Sequence, residues 1–116
     1  MIEKVIEFKT TLLPFDGAKK LVNANNSESD LLYKEYYDLG DGKQMCTLVF
    51  ERYFFRTGGR GTLTIILENV SGPNKVKCIP SGSAEGILNI DWGASKDFVR
   101  WVENALSSYT LEEPQR

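Results

Sequence analysis

The sequence predicts an α+β domain in which an antiparallel sheet of five to six strands packs one face against a long C-terminal helix. Strand-like runs follow one another through the middle of the chain, separated by turn signals such as Leu39-Gly40-Asp41-Gly42-Lys43. Tight turns join antiparallel neighbours, and glycine tolerates the positive φ that many of them need. An apolar stripe at helical spacing near the end of the chain predicts the helix, which needs a sheet face to cover that stripe.

The first two elements are a strand and a short helix. Residues Val5–Leu12 alternate well enough between apolar and polar side chains for a strand. Pro14 and Asp16 then favour a helix start, because proline suits the first helical turn and aspartate is a good N-cap. Apolar side chains at helical spacing extend this helix over Phe15–Ala24.

The later strands are predicted at Leu31–Leu39, Gln44–Arg56, Thr62–Glu68, Lys75–Ile79 and, as a short sixth strand, Gly86–Trp92. Ser95 is the expected N-cap of the last helix. Its apolar stripe consists of Phe98, Trp101, Val102, Ala105 and Leu106. Residues 1–116 are therefore predicted to form a single domain, with the order strand, helix, four or five strands, helix, and with a frayed tail from about residue 110.

Composition excludes several classes of function. The 116-residue chain is 41% hydrophobic and 26% charged, which is typical of a globular protein. Its net charge is −2, whereas a nucleic-acid binder needs surplus positive charge to displace counterions from phosphates. No apolar run approaches the ~20 residues of a membrane span, and charges interrupt the N-terminus where a signal peptide is apolar. We therefore expect a cytoplasmic protein that binds neither nucleic acid nor membranes.

The chain contains no histidine, so Ser-His-Asp and Cys-His catalysis and histidine-ligated metal sites are excluded. Cys46 and Cys78 are too few for a four-thiolate site and lie outside any CxxC spacing. We interpret them as small buried apolar residues in a reducing compartment. We assign no catalytic residue, metal site or cofactor from the sequence, and we favour a protein that is not an enzyme. An enzyme that works through carboxylate, arginine or tyrosine chemistry is the third alternative.

The run Val49–Phe55 carries large apolar residues on both faces of one predicted strand, and each face also carries one charge. If the following turn is a four-residue loop, Phe50 opposes Leu67 and Arg52 lies among the core residues. If the loop has an odd number of residues, the faces exchange and Glu51 points at the core instead. The sequence leaves both alternatives open.

A charge on the covered side suggests a ligand site between the sheet and the last helix, because a buried charge needs a partner. Arg52 would act there as an anion clamp. The candidate ligand-binding residues are Arg52, Glu51, Tyr53, Phe54 and Trp101. The leading hypothesis is a non-enzymatic domain that binds a small apolar or amphipathic ligand.

The alternative hypothesis is a protein-interaction or homodimerisation domain. Tyr33, Tyr37, Tyr53 and Phe55 can share one side of the sheet, and an uncovered aromatic face marks an interaction surface. A symmetric homodimer is the simplest way to cover it. The ligand hypothesis predicts a cavity between sheet and helix, whereas the association hypothesis predicts a filled interior and an exposed aromatic face.

The run Cys46–Tyr53, the turn Thr57–Arg60, the Ser81–Ser83 segment and the closing helix that contains Phe98 resemble an uncharacterised family of small bacterial proteins, a domain of unknown function. The resemblance covers most of the chain. It implies a bacterial cytoplasmic protein with one compact domain, and it implies no activity, cofactor or catalytic residue. The element order also resembles helix-grip and TATA-box-protein-like folds, in which an antiparallel sheet curls around a final helix.

Overall fold

A computed structural model describes residues 5–25, 29–54, 58–81 and 92–111. The elements along the chain are β1 (Ile6–Lys9), α1 (Pro14–Ala24), β2 (Ser29–Gly40), β3 (Lys43–Phe54), β4 (Gly59–Glu68), β5 (Lys75–Ser81), α2 (Trp92–Ala105) and a 3₁₀ turn at Ser107–Tyr109. No helix in these ranges is long and apolar enough to cross a membrane.

The described strands form one sheet with the spatial order β1-β5-β4-β3-β2, and every neighbouring pair is antiparallel. This confirms the predicted α+β class and antiparallel sheet. The predicted sixth strand, Gly86–Trp92, falls outside the described residues except for Trp92, which begins α2.

The prediction of a long C-terminal helix packed on the sheet is wrong. Helix α2 has only fourteen residues, and it begins before Ser95, so Ser95 is not its N-cap. It contacts β5 and α1, while α1 occupies the sheet over β3 and β4. The close approach of α1 depends on Gly17, where an added Cβ would lie 2.8 Å from Leu67 Cδ2. Two short helices therefore share the face that the sequence assigned to one.

One side of the sheet and the facing sides of both helices form the core. The predicted stripe of α2 is confirmed, because Phe98, Val102 and Leu106 are fully buried and Trp101 and Ala105 pack against them. The other core residues are Ile6, Phe8, Ala18, Leu21, Cys46, Leu48, Phe50, Leu63, Ile65, Leu67, Val76, Cys78 and Val99. Apolar side chains therefore line the described part of the interior.

Both cysteines are free and buried in this core. Cys46 lies on β3 and Cys78 on β5, with β4 between them, so roughly 10 Å of sheet separates the two strands. Burial raises the pKa of Cys46 to about 12. Burial, and secondarily the charge of Glu103, raises the pKa of Cys78. Both thiols stay protonated at neutral pH, which fits their interpretation as small apolar residues.

The two central hairpins differ in how well the sequence predicts them. The β2–β3 turn is formed by Asp41 and Gly42 with φ of 55° and 79°, as the Asp-Gly signal predicts. In the β3–β4 hairpin, Phe50 pairs with Leu63 rather than with the predicted Leu67. The predicted register is therefore wrong, but the difference of four positions is even, so Phe50 remains on the core face.

The two edges of the sheet differ in how far other described residues cover them. The β1 edge is partly covered, because Thr11 N–H donates to the Tyr109 carbonyl and Leu111 N–H donates to the Lys9 carbonyl (2.8 and 2.9 Å). Thr110, which the sequence placed in the frayed tail, forms a bridge with Thr10. At the opposite edge, the described strands give β2 a neighbour on one side only, β3.

Candidate interaction surface

The structure separates the predicted ligand-binding residues. Arg52 and Trp101 lie on the helix-covered side of the sheet, where each contacts a buried phenylalanine ring. Glu51 and Tyr53 precede and follow Arg52 in β3, so they lie on the opposite side. The side chain of Phe54 lies outside the described residues. Arg52 and Trp101 therefore lie on one face of the sheet, and Glu51 and Tyr53 lie on the other.

Arg52 is the charge that faces the helices, so the structure selects the first of the two orientations of β3 that the sequence left open. Its Nε donates to the Ser29 hydroxyl at 3.1 Å, and its guanidinium carbon lies 4.6 Å from the centre of the Phe98 ring. Ser29 is nearly fully buried. The half-buried cation thus joins the start of β2 to α2.

We expect Arg52→Leu to lower the free energy of unfolding by about 1–2 kcal/mol, since it removes a hydrogen bond to a buried hydroxyl and a cation–π contact. Denaturant unfolding measures the change. Arg60→Leu is the matched control, because Arg60 lies in the same hairpin near the Tyr53 ring (5.9 Å) and pairs with Glu51 at 3.2 Å on the exposed side. That exposed pair is worth less than about 1 kcal/mol. Equal losses from the two variants would contradict the burial of Arg52.

Trp101 connects the two helices and the sheet. Its ring meets the Phe50 ring edge-on at 5.0 Å, and its indole N–H donates to the Ala24 carbonyl at the end of α1 (3.4 Å). Both contacts are structural, since the apolar body of the indole packs inside and its polar atom finds an acceptor. Ligand binding by Trp101 and Arg52 stays a prediction.

The edge strand β2 exposes an unusual number of large side chains for the described part of the chain. Five of its twelve residues are large apolar or aromatic side chains with exposures of 40% or more, namely Leu32, Tyr33, Tyr36, Tyr37 and Leu39. Ordinary edge strands are short, charged or covered, because an open strand edge can pair with another chain. We call these five residues together with the outer edge of β2 the edge-strand surface.

A β-bulge at Leu32 determines which tyrosines face outward. Leu31 pairs with Phe50 on the core side, but Tyr33 pairs with Val49, so the strand changes face between them. Tyr37 and, on β3, Tyr53 lie on the same open side as Tyr33. The sequence predicted that these three tyrosines share a side, although the bulge itself has no clear sequence signal. Phe55, the fourth predicted member, lies outside the described residues.

Glu35 lies between Tyr33 and Tyr37 on the open side of β2. The Tyr37 hydroxyl donates to Glu35 Oε2 at 2.6 Å. A hydrogen bond to Glu35 is the main reason that the pKa of each tyrosine is raised, and the carboxylate charge adds to this by disfavouring a phenolate. The three side chains form a polar cluster that orients the two rings along the edge strand.

We expect Glu35→Gln to lower the pKa of both Tyr33 and Tyr37 toward the ordinary value, because a neutral amide does not repel a phenolate. Titration by NMR with ring-labelled tyrosine resolves the individual residues. Asp38→Asn is the control, since Asp38 bonds only the Gly40 amide among the described contacts and lies on the other face. An unchanged pKa at both tyrosines in Glu35→Gln would show that the cluster does not form in solution.

A partly buried amide network fixes the turn end of the β2–β3 hairpin. Asn69 Oδ1 accepts from the Gln44 amide at 2.7 Å, and Asn69 Nδ2 donates to the Gly42 carbonyl at 3.0 Å. Gln44 Oε1 accepts from the Phe15 amide in the first turn of α1 at 3.0 Å. No sequence signal indicates this network, because its members are far apart along the chain. It joins the β2–β3 turn to β3, to the residue after β4 and to the start of α1.

Within the described ranges, no group of three or more cysteine, aspartate or glutamate side chains is arranged to hold a metal ion.

The arrangement of strands and helices defines a class of protein: a small α+β domain with a sheet covered by two helices on one side and a long tyrosine-bearing strand at one edge. The chain belongs to a family of unknown function (DUF6054), whose model matches residues 15–110. Comparison with curated proteins and with solved structures gives no significant match.

Family membership confirms the predicted resemblance to an uncharacterised family. The bacterial origin, the cytoplasmic location and the likeness to helix-grip and TATA-box-protein-like folds stay predictions. The edge-strand surface lies in β2, within the matched residues 15–110.

Proposed function

We propose that this chain is a non-enzymatic protein-association domain that binds a partner polypeptide along its edge-strand surface. The observation that carries the proposal is the twelve-residue strand β2, which lies at a sheet edge and exposes Leu32, Tyr33, Tyr36, Tyr37 and Leu39. Backbone groups of an edge strand can hydrogen-bond an added strand, and alternate side chains give the contact specificity. Tyrosine is among the residues enriched at protein interfaces.

Two further features support association in preference to ligand binding. The described side chains between the sheet and the helices are apolar and buried, Phe50 and Phe98 fully so, as the association hypothesis expects. Residues 109–111 partly cover the opposite sheet edge, so β2 is the more open edge among the described strands. Binding of a small apolar or amphipathic ligand stays a prediction.

Site-specific photo-cross-linking in cells that produce the chain tests the proposal. The photoreactive residue p-benzoylphenylalanine replaces Leu39 on β2, or Leu111 at the opposite edge as the matched control; the two side chains are 55% and 60% exposed. We expect a discrete cross-linked polypeptide from position 39 and none from position 111. Absence of any adduct at position 39, or equal adducts at both positions, would overturn the proposal.

A further inference from the structure

The side chains of β2 are arranged so that the strand is complementary to itself. From Tyr33 to Asp38 its pairing with β3 is regular, so even-numbered residues face the helix side and odd-numbered residues the open side. If a second β2 adds antiparallel about a two-fold axis perpendicular to the sheet, opposed residues lie on the same face. In any one register, the two residue numbers of every opposed pair then add up to the same even number. Only a few registers of the two strands meet this condition.

One register pairs the charges. With the axis at Tyr36, Lys34 lies opposite Asp38 of the second copy, Glu35 lies opposite Tyr37, and the two Tyr36 rings meet at the centre. With the axis at Lys34 or at Glu35, two like charges oppose each other, which is destabilising. With the axis at Tyr37, Lys34 meets no acidic residue. The sequence of β2 therefore selects the Tyr36 register by charge complementarity.

The surroundings of β2 are compatible with this pairing. Lys34, Tyr36 and Asp38 are exposed, and none of the described contacts is an ion pair of Lys34 or Asp38. The ring of Tyr36 packs against Phe15 at 5.2 Å, which orients it at the edge. A lysine in an exposed edge strand opposes unspecific pairing. Only a partner strand that places an acidic residue opposite Lys34 is favoured, and a second β2 does so.

We infer that the partner of the edge-strand surface is a second copy of this chain, joined through antiparallel β2 strands in the Tyr36 register into one continuous sheet. The inference rests on the proposed function, since it names the partner of the same surface. The symmetry repeats the Lys34–Asp38 contact twice in each dimer. The pairing involves only about five residues of each strand, so the dimer is in concentration-dependent equilibrium with the monomer.

Charge exchange tests this inference. Sedimentation equilibrium is measured on the parent chain, on Lys34→Glu, on Asp38→Lys and on an equimolar mixture of the two variants. In each variant alone, both symmetry-related contacts bring like charges together. We expect the dimer dissociation constant to rise at least about tenfold, a change that corresponds to roughly 1.4 kcal/mol.

The mixture of the two variants restores both charge pairs. In a heterodimer, the introduced glutamate of one variant faces the introduced lysine of the other, and the retained Lys34 faces the retained Asp38. We therefore expect a heterodimer of near-parental stability.

The outcomes separate the inference from the proposed function. A parent chain that is monomeric at all concentrations, or variants that dimerise as well as the parent, would overturn the Tyr36 pairing. A position-39 cross-link to a polypeptide of different mass would then leave the association function standing with another partner. Loss of dimer in both variants without recovery in the mixture would also overturn the register, provided that circular dichroism shows both variants folded.

Discussion

Replacing Phe50 with alanine is expected to lower the free energy of unfolding by about 3–5 kcal/mol, the range for a fully buried phenylalanine. Phe50 has no exposed surface, pairs with Leu31 and Leu63 on the neighbouring strands, and contacts the Trp101 ring at 5.0 Å. Its removal leaves a cavity between the sheet and α2 and deprives Trp101 of its ring partner. Chemical denaturation followed by circular dichroism measures the loss.

Tyr53→Ala is the control for Phe50→Ala. Tyr53 lies on the same strand but on the open face, and it is about half exposed. We expect a loss below about 1 kcal/mol. If the losses were reversed, Tyr53 rather than Phe50 would face the core, as in the odd-loop register, and the assignment of Arg52 to the helix side would be wrong as well.

Asn69→Ala is expected to destabilise the chain by about 2–3 kcal/mol, because it removes two side-chain hydrogen bonds at a buried site and leaves the Gln44 amide and Gly42 carbonyl without them. The amides next to the β2–β3 turn should also exchange with deuterium faster than those in the β4–β5 pair. Thermal unfolding and hydrogen exchange measure the two effects.

Glu68→Ala is the matched control for Asn69→Ala. The Glu68 carboxylate also accepts a backbone hydrogen bond, from the Val70 amide at 2.8 Å, but at an exposed position. Water replaces an exposed hydrogen bond, so we expect a loss below about 1 kcal/mol. If Asn69→Ala were equally mild, the amide network would not be what holds the hairpin in place.

Local signals predicted much of the fold. The Asp41-Gly42 turn, helix α1 and the buried stripe of α2 each depend on residues close together along the chain, and all three are present. The register of β3 against β4 was not predictable, because glycine is found at 58, 59 and 61 and several turns fit such a run. The face of the sheet on which Arg52 lies depends on that register, so the sequence left this face open as well.

The location of the candidate surface could not be predicted from the sequence, because it depends on the order of the strands in the sheet. The tyrosines of β2 were visible as an aromatic set, but their position at a sheet edge follows from the order β1-β5-β4-β3-β2. The bulge at Leu32 turns Tyr33 to the open side, and the partial cover of the other edge by residues 109–111 leaves β2 as the more open edge among the described strands. Each of these features depends on pairing between residues that are far apart along the chain.

Native mass spectrometry of the freshly purified chain over a range of concentrations decides whether β2 joins two copies of it. We expect a particle of twice the 13.1 kDa chain mass that carries no additional ligand and dissociates on dilution. A 13.1 kDa monomer at every concentration would contradict self-association through β2. A monomer with extra mass that is lost on denaturation would contradict it too, and would favour a small ligand held between the sheet and α2.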